Sequence, residues 1–162
     1  MIKEKMQKAI NDQIQAEFYS AYLYLAMSAA LEDMKLPGFA HWTRFQAKEE
    51  TEHAMKFYQY LVERGGSVKL GAVKAPPAEW TDLAVLFKEV LKHEQYITGR
   101  INDLVDLAIA DKDHATNAML QWFVNEQVEE EAHAEEVLRQ IEMTQGSKGA
   151  LYMLDKQMGS RS

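Results

Sequence analysis

Residues 38–64 read GFAHWTRFQAKEETEHAMKFYQYLVER, and the spacing inside this stretch decides the fold. Phe39, Thr43, Gln46, Glu50, His53, Phe57 and Tyr60 follow one another in alternating steps of four and three. Such steps keep side chains on one side of a helix with 3.6 residues per turn. The stripe is apolar toward its ends but polar in the middle, where Glu50 and His53 stand about one turn apart. A carboxylate aimed at a core is costly unless something compensates it, so the stretch predicts both a packed helix and a reason for its charge.

Three further stripes keep the same rhythm. One runs Ile10, Ile14, Glu17, Ala21, Tyr24, Ser28; another runs Leu83, Phe87, Val90, Glu94, Ile97, Ile101, Leu104, Ala108. The last runs Thr116, Leu120, Phe123, Gln127, Glu130, Ala134, Val137, Ile141. Stripes of this kind are the seams of helices packed at a shallow angle. Gly65-Gly66 caps a helix end, and Pro76-Pro77 leads into Thr81-Asp82, a helix start. Weaker breaks fall at Leu36-Pro37-Gly38 and Asp111-Lys112-Asp113. The expected helices span about 3–34, 38–64, 82–110 and 113–144 of a single 1–162 domain, an all-α four-helix bundle.

The connections set the topology. Short loops make the first two helices one antiparallel hairpin and the last two another. The stretch 65–81 is different: extended, it reaches roughly 55 Å, whereas each helix is about 40 Å long. It is expected to cross the whole bundle, leaving helices two and three parallel. A fifth, short helix over about 147–157 presents Leu151, Leu154 and Met158 on one face. So short a helix is unstable alone, and a partner subunit is the expected docking surface.

Composition narrows the function. The 162 residues are 47% apolar and 27% charged, with three Pro, as befits a helical globular domain. A net charge of −7 without a basic run argues against nucleic acid and for cations. Cysteine is absent, which excludes disulfides, thiolate zinc sites and iron–sulfur clusters. The opening residues Met1 to Lys5 read as amphipathic helix rather than signal peptide, and no stretch is apolar enough to span a membrane. A soluble, cytoplasmic protein is expected.

Glu17, Glu50, His53, Glu94, Gln127 and Glu130 interrupt the four seams near their middles. Glu17 and Glu50 lie 33 positions apart, as do Glu94 and Gln127, so the two hairpins repeat one design and bring all four to one level. Four facing carboxylates demand cations, and two divalent ions balance them. Oxygen ligands with one imidazole suit iron or manganese, and can also hold zinc. Glu130 and His133 offer a second Glu-x-x-His register, but Ala134 continues the seam, which favours Gln127 and Glu130 as the inward pair.

One Glu on each of two helices, with Glu-x-x-His on the others, is the pattern of ferritin-like di-iron proteins. Replacement of the second Glu-x-x-His by Gln127-x-x-Glu130 resembles the ferritins without haem, as do Phe39-Ala40-His41-Trp42, Lys74-Ala75-Pro76-Pro77 and the run Gln121 to Glu131. The whole chain is similar to the bacterial non-haem type.

The resemblance implies an iron store with ferroxidase activity, consuming Fe(II) and dioxygen and laying down ferric mineral in a hollow 24-subunit shell. It implies a first iron on Glu17, Glu50 and His53, with Glu50 bridging to a second held by Glu94 and Glu130, and Gln127 close by. A third iron site would use Glu49, Glu126 and Glu129 and share Glu130, and Tyr24 would stand beside the pair. The tail helix would lie around the four-fold axis.

Several residues have plainer readings. Glu129-Glu130-Glu131 is also the ordinary composition of a solvated helix face. Tyr24 also suits a core tyrosine bonded to a carboxylate, and Trp122 suits packing better than redox chemistry. His41, His93 and His114 are expected at the surface, and the methionines in the core.

Neighbouring families differ at identifiable places. Haem is not expected, because Thr51 stands where bacterioferritins place a haem-ligating Met after the second-helix Glu. Rubrerythrins carry a Cys-rich iron module. DNA-protecting mini-ferritins build their iron site between subunits. Two other functions share the residues: an oxidase that keeps its di-iron pair as a permanent cofactor, and a passive container.

Overall fold

The computed structural model describes residues 1–162. It holds five helices, α1 (Glu4–Asp33), α2 (Pro37–Glu63), α3 (Leu83–Ala110), α4 (His114–Met143) and α5 (Lys148–Met158). Local chemistry places the ends. Pro37 opens α2, where its missing N–H costs nothing. Asp82, Asp113 and Ser147 cap α3, α4 and α5 by accepting from the backbone N–H of Val85, Thr116 and Ala150.

Cross-helix bonds give the directions. Tyr24 meets Glu94, Gln13 meets Arg100 and Lys3 meets Asp111, so α1 and α3 are antiparallel. Since α1 also runs against α2, helices α2 and α3 are parallel and the crossover spans the bundle. It does so along α1, bonded turn by turn. Ser67 N donates to Gln7, Lys69 N donates to Asn11, and Gln15 donates to the Ala72 carbonyl. The acceptors and donors on α1 recur every four residues, so one face of a helix guides an extended chain.

The buried residues of α4 are the eight of its predicted stripe and no others. The core itself is two apolar clusters. One gathers Leu23, Met27, Phe39, Phe87 and Val137; the other gathers Ile10, Phe57, Ile101, Leu120 and Phe123. The carboxylates lie in the layer between them.

α5 docks on its own bundle. Leu154, Asp155 and Met158 are buried against it, and Asp155 Oδ1 accepts from Phe39 N, an unpaired donor in the first turn of α2. The approach is so close that a Cβ on Gly38 would lie 1.7 Å from the Asp155 carbonyl oxygen. Sequence reasoning missed this docking because Gly38 looked like a helix breaker rather than a contact.

The methionines also depart from expectation. Met6, Met27 and Met158 are buried, but Met55, Met143 and Met153 are exposed. His93 is buried, not superficial, with Nε2 2.7 Å from Ser20 Oγ and the ring flanked by Tyr19 and Tyr96. Its place beside Glu94 on the α1-facing side of α3 accounts for this. His41 is half-buried, while His114 and His133 are exposed.

Candidate metal centre

Glu17, Glu50, His53, Glu94, Gln127 and Glu130 are all buried, each contributed by the seam of its helix. Ligand atoms of Glu17, Glu50 and His53 lie within 4.8 Å of one another, and so do those of His53, Glu126 and Glu130. His53 thus belongs to both groups. Its Nδ1 is 3.3 Å from Glu50 Oε2, and its Nε2 is 3.7 Å from Glu126 Oε1.

Each carboxylate except one is braced by a neutral donor. Gln13 Nε2 donates to Glu17 Oε1 at 2.7 Å, and Gln46 Nε2 donates to Glu130 Oε2 at 2.8 Å. Gln127 Nε2 donates to Glu94 Oε2 and to the Glu94 carbonyl, each at 3.2 Å. The Tyr24 hydroxyl donates to Glu94 Oε1. Glu50, the exception, stands between the others. Gln13 is itself fixed by Arg100 Nε at 2.9 Å, so the amide must turn its N–H toward Glu17.

Burial dominates the electrostatics. It raises Glu17 to about 7 and Glu130 to about 8, in both cases with the Glu94 charge adding to the effect. Glu50 is pushed well above the carboxylate range, first by burial and then by Glu94, Glu17 and Glu130. Burial raises Glu94 as well. His53 falls to about 4, through burial and then the Lys56 charge, and is therefore neutral with a lone pair to offer. Tyr24 is held protonated by burial and by Glu94, Glu50 and Glu130.

Glu17 Oε2 and Glu50 Oε2 are buried oxygens that accept no hydrogen bond. Buried acceptors are rarely left so; Glu50 Oε2 lies 3.3 Å from His53 Nδ1, and Glu17 belongs to the same three-residue group. A divalent cation satisfies both and cancels the mutual repulsion. Hard oxygens, one imidazole and no sulfur fit iron, manganese or zinc.

The third group that the resemblance implied is assembled differently. Glu126 is half-buried and joins His53 and Glu130. Glu49 is half-buried and salt-bridged to Arg161 at 2.6 Å. Glu129 is exposed and belongs to neither group. Trp122 meets His53 edge-on at 5.4 Å, with Lys56 Nζ 4.0 Å above its ring.

Fold and site together define a helical bundle with a carboxylate-rich candidate metal site inside one subunit. The ferritin-like domain family matches residues 7–144. Bacterial non-heme ferritins are similar throughout. That of Bacteroides fragilis (strain 638R) is 42% identical, covering 99% of this chain and 100% of its own, and that of Staphylococcus aureus (strain MRSA252) is 37% identical, covering 100% and 98%. The open pore ferritin of the archaeon Archaeoglobus fulgidus superposes with a TM-score of 0.99 at 47% identity, with both chains fully covered. The chain belongs to the ferritin family and is an iron-storage protein.

Proposed function

We propose that this protein oxidises the iron it stores. Two Fe(II) bind per subunit at Glu17, Glu50, His53, Glu94 and Glu130, with Gln127 steering Glu94. The two irons together give two electrons to one dioxygen, which takes up two protons and leaves as hydrogen peroxide, and Fe(III) passes on to an oxide mineral inside a hollow shell of identical subunits, 24 by the family's pattern. The protein works in the cytoplasm and uses no haem. The observation that carries this reading is the pair of orphaned oxygens, Glu17 Oε2 and Glu50 Oε2, beside a neutral His53.

Ligand chemistry favours turnover over a permanent cofactor. His53 is the one imidazole of the centre, shared between its two groups, and every charged ligand is a carboxylate. Oxygen-dominated ligation lets a hard ion exchange more readily than an imidazole-rich cage does. An open cleft lined by Glu49, Glu52, His53, Lys56, Trp122 and Glu126 leads away from the site, which gives the product a route past further carboxylates.

Stopped-flow absorbance after aerobic addition of two Fe(II) per subunit tests this, with Glu50→Ala as control. A fast phase in the wild type that is lost in the variant and recurs on later additions supports the proposal. A fast phase that never recurs indicates a fixed di-iron cofactor, and no fast phase indicates a passive container.

A further inference from the structure

The segment that follows α5 returns to the bundle and sets a cation against the metal centre. Arg161 Nη2 donates to Glu49 Oε2 and Nη1 donates to Gln46 Oε1, both at 2.6 Å. Its guanidinium carbon lies 4.8 Å from the centre of the Trp42 ring and 4.6 Å from that of Phe45. His41 Nε2 stands 2.6 Å from the Arg161 carbonyl oxygen, which can only accept, so His41 is the donor. The segment is therefore held at its backbone, its plane and its charge.

Two consequences follow. Gln46 has its carbonyl end fixed by Arg161, so its N–H end must face Glu130, to which it donates. Glu49, which lines the same cleft as His53 and Glu126 and is one of the residues the family resemblance assigns to a further iron, already has a cation. A guanidinium at 2.6 Å occupies the space a metal ion would need on that oxygen.

We propose that Arg161 holds the Glu49 corner of the centre, so that a third metal ion binds there only by displacing the segment after α5. The inference rests on the di-metal reading above. Arg161 acts as a positioning residue toward Glu130, through Gln46, and as a competitor toward metal at Glu49. Glu126 lies at the same corner, 3.7 Å from His53 Nε2, and supplies the second oxygen for such an ion. The arrangement gives the centre a threshold: the buried pair fills first, and spill-over waits until metal outcompetes the arginine. A mere tail anchor would not do this, because its loss would loosen α5 without changing metal affinity at Glu49.

Zinc(II) is the probe, since it binds without redox chemistry. Calorimetric titration of the assembled, metal-free protein counts sites and their affinities. With Arg161→Ala, the weakest of three zinc sites should tighten roughly five- to tenfold, the scale of a partly buried charge-assisted pair. Arg161→Lys should fall nearer the wild type, and the gain should vanish in a Glu49→Gln background. Arg161→Gln, which keeps much of the stem on Trp42 and Phe45, serves if the alanine variant does not assemble. Unchanged or weakened third-site affinity overturns the proposal, as does a gain that survives Glu49→Gln. Failure of the underlying reading looks different: the wild type itself would lack two tight zinc sites, or keep them with Glu50→Ala, and the proposal would fall with it.

Discussion

Replacing Glu17 by Gln should stabilise the metal-free protein while weakening its hold on metal. Glu17 is 1% exposed, and burial lifts it from an ordinary 4.5 to about 7. In the unfolded chain it ionises freely; in the folded one it must either keep its proton or be charged out of water. Below pH 4.5 both states are protonated and no penalty exists. Between 4.5 and 7 the unfolded state loses its proton first, so stability falls as pH rises, and above 7 the penalty is complete.

A shift of this size corresponds to about 3 kcal/mol at pH 8, falling to under about 1 kcal/mol by pH 5. The neutral amide of the Glu17→Gln variant escapes the penalty. Its carbonyl can still accept from Gln13, and its N–H group can reach the unpaired Glu50 oxygen. For a chain of this length, about 3 kcal/mol is a rise in Tm of roughly 6–12 °C. Scanning calorimetry of both chelator-treated proteins, at one subunit concentration from pH 5 to 9, reads it. The advantage should be large at pH 8 and small at pH 5. With saturating zinc the order should reverse, because the variant lacks an anionic ligand. A variant no more stable than wild type at pH 8, or an advantage independent of pH, refutes the reasoning.

Other outcomes follow from the same geometry. Zinc binding should release more protons at pH 6.5 than at pH 9, since Glu17 and Glu130 titrate near 7 and 8; calorimetry in buffers of different ionisation enthalpy checks this. His53→Ala should slow rapid Fe(II) oxidation at least tenfold while leaving assembly intact, and stopped-flow rates at wild-type level would remove it from the site. Gly38→Ala should drive its new Cβ into the Asp155 carbonyl and release α5, seen as faster hydrogen exchange over 148–158 and a loss of roughly 1–3 kcal/mol.

Much of the bundle was legible because a helix writes its packing into its period. The α4 stripe predicted every buried residue of that helix, and the length of 65–81 was enough to infer parallel α2 and α3. What period cannot convey is contact between distant segments. The docking of α5 depends on Gly38 having no side chain and on Asp155 finding one backbone donor, and neither leaves a repeating trace. His93 was misjudged for a related reason: it borders the seam rather than sitting on it, and only the approach of Ser20 and Tyr19 from α1 buries it. The exposed Met55, Met143 and Met153 show that residue type alone does not assign burial.

The site divides along the same line. The 33-residue spacing that pairs Glu17 with Glu50 also pairs Gln13 with Gln46, and both glutamines prove to be donors to carboxylates of the centre. Following the repeat one turn further back would have found them. The arginines that orient the two amides obey no such rule. Arg100 reaches Gln13 from α3, 87 positions away, and Arg161 reaches Gln46 from beyond α5, 115 positions away. A duplicated hairpin specifies which residues face the metal, because those lie on its own helices. The cations that hold the flanking amides came from whatever later segment passes nearby, and they differ between the two helices of the first hairpin. Arg100 sits in a packed helix, whereas Arg161 sits on a segment held by a handful of contacts. The two ends of the centre therefore share their ligands' design but not their rigidity, and the end governed by Arg161 is the one where metal can gain access by moving the chain.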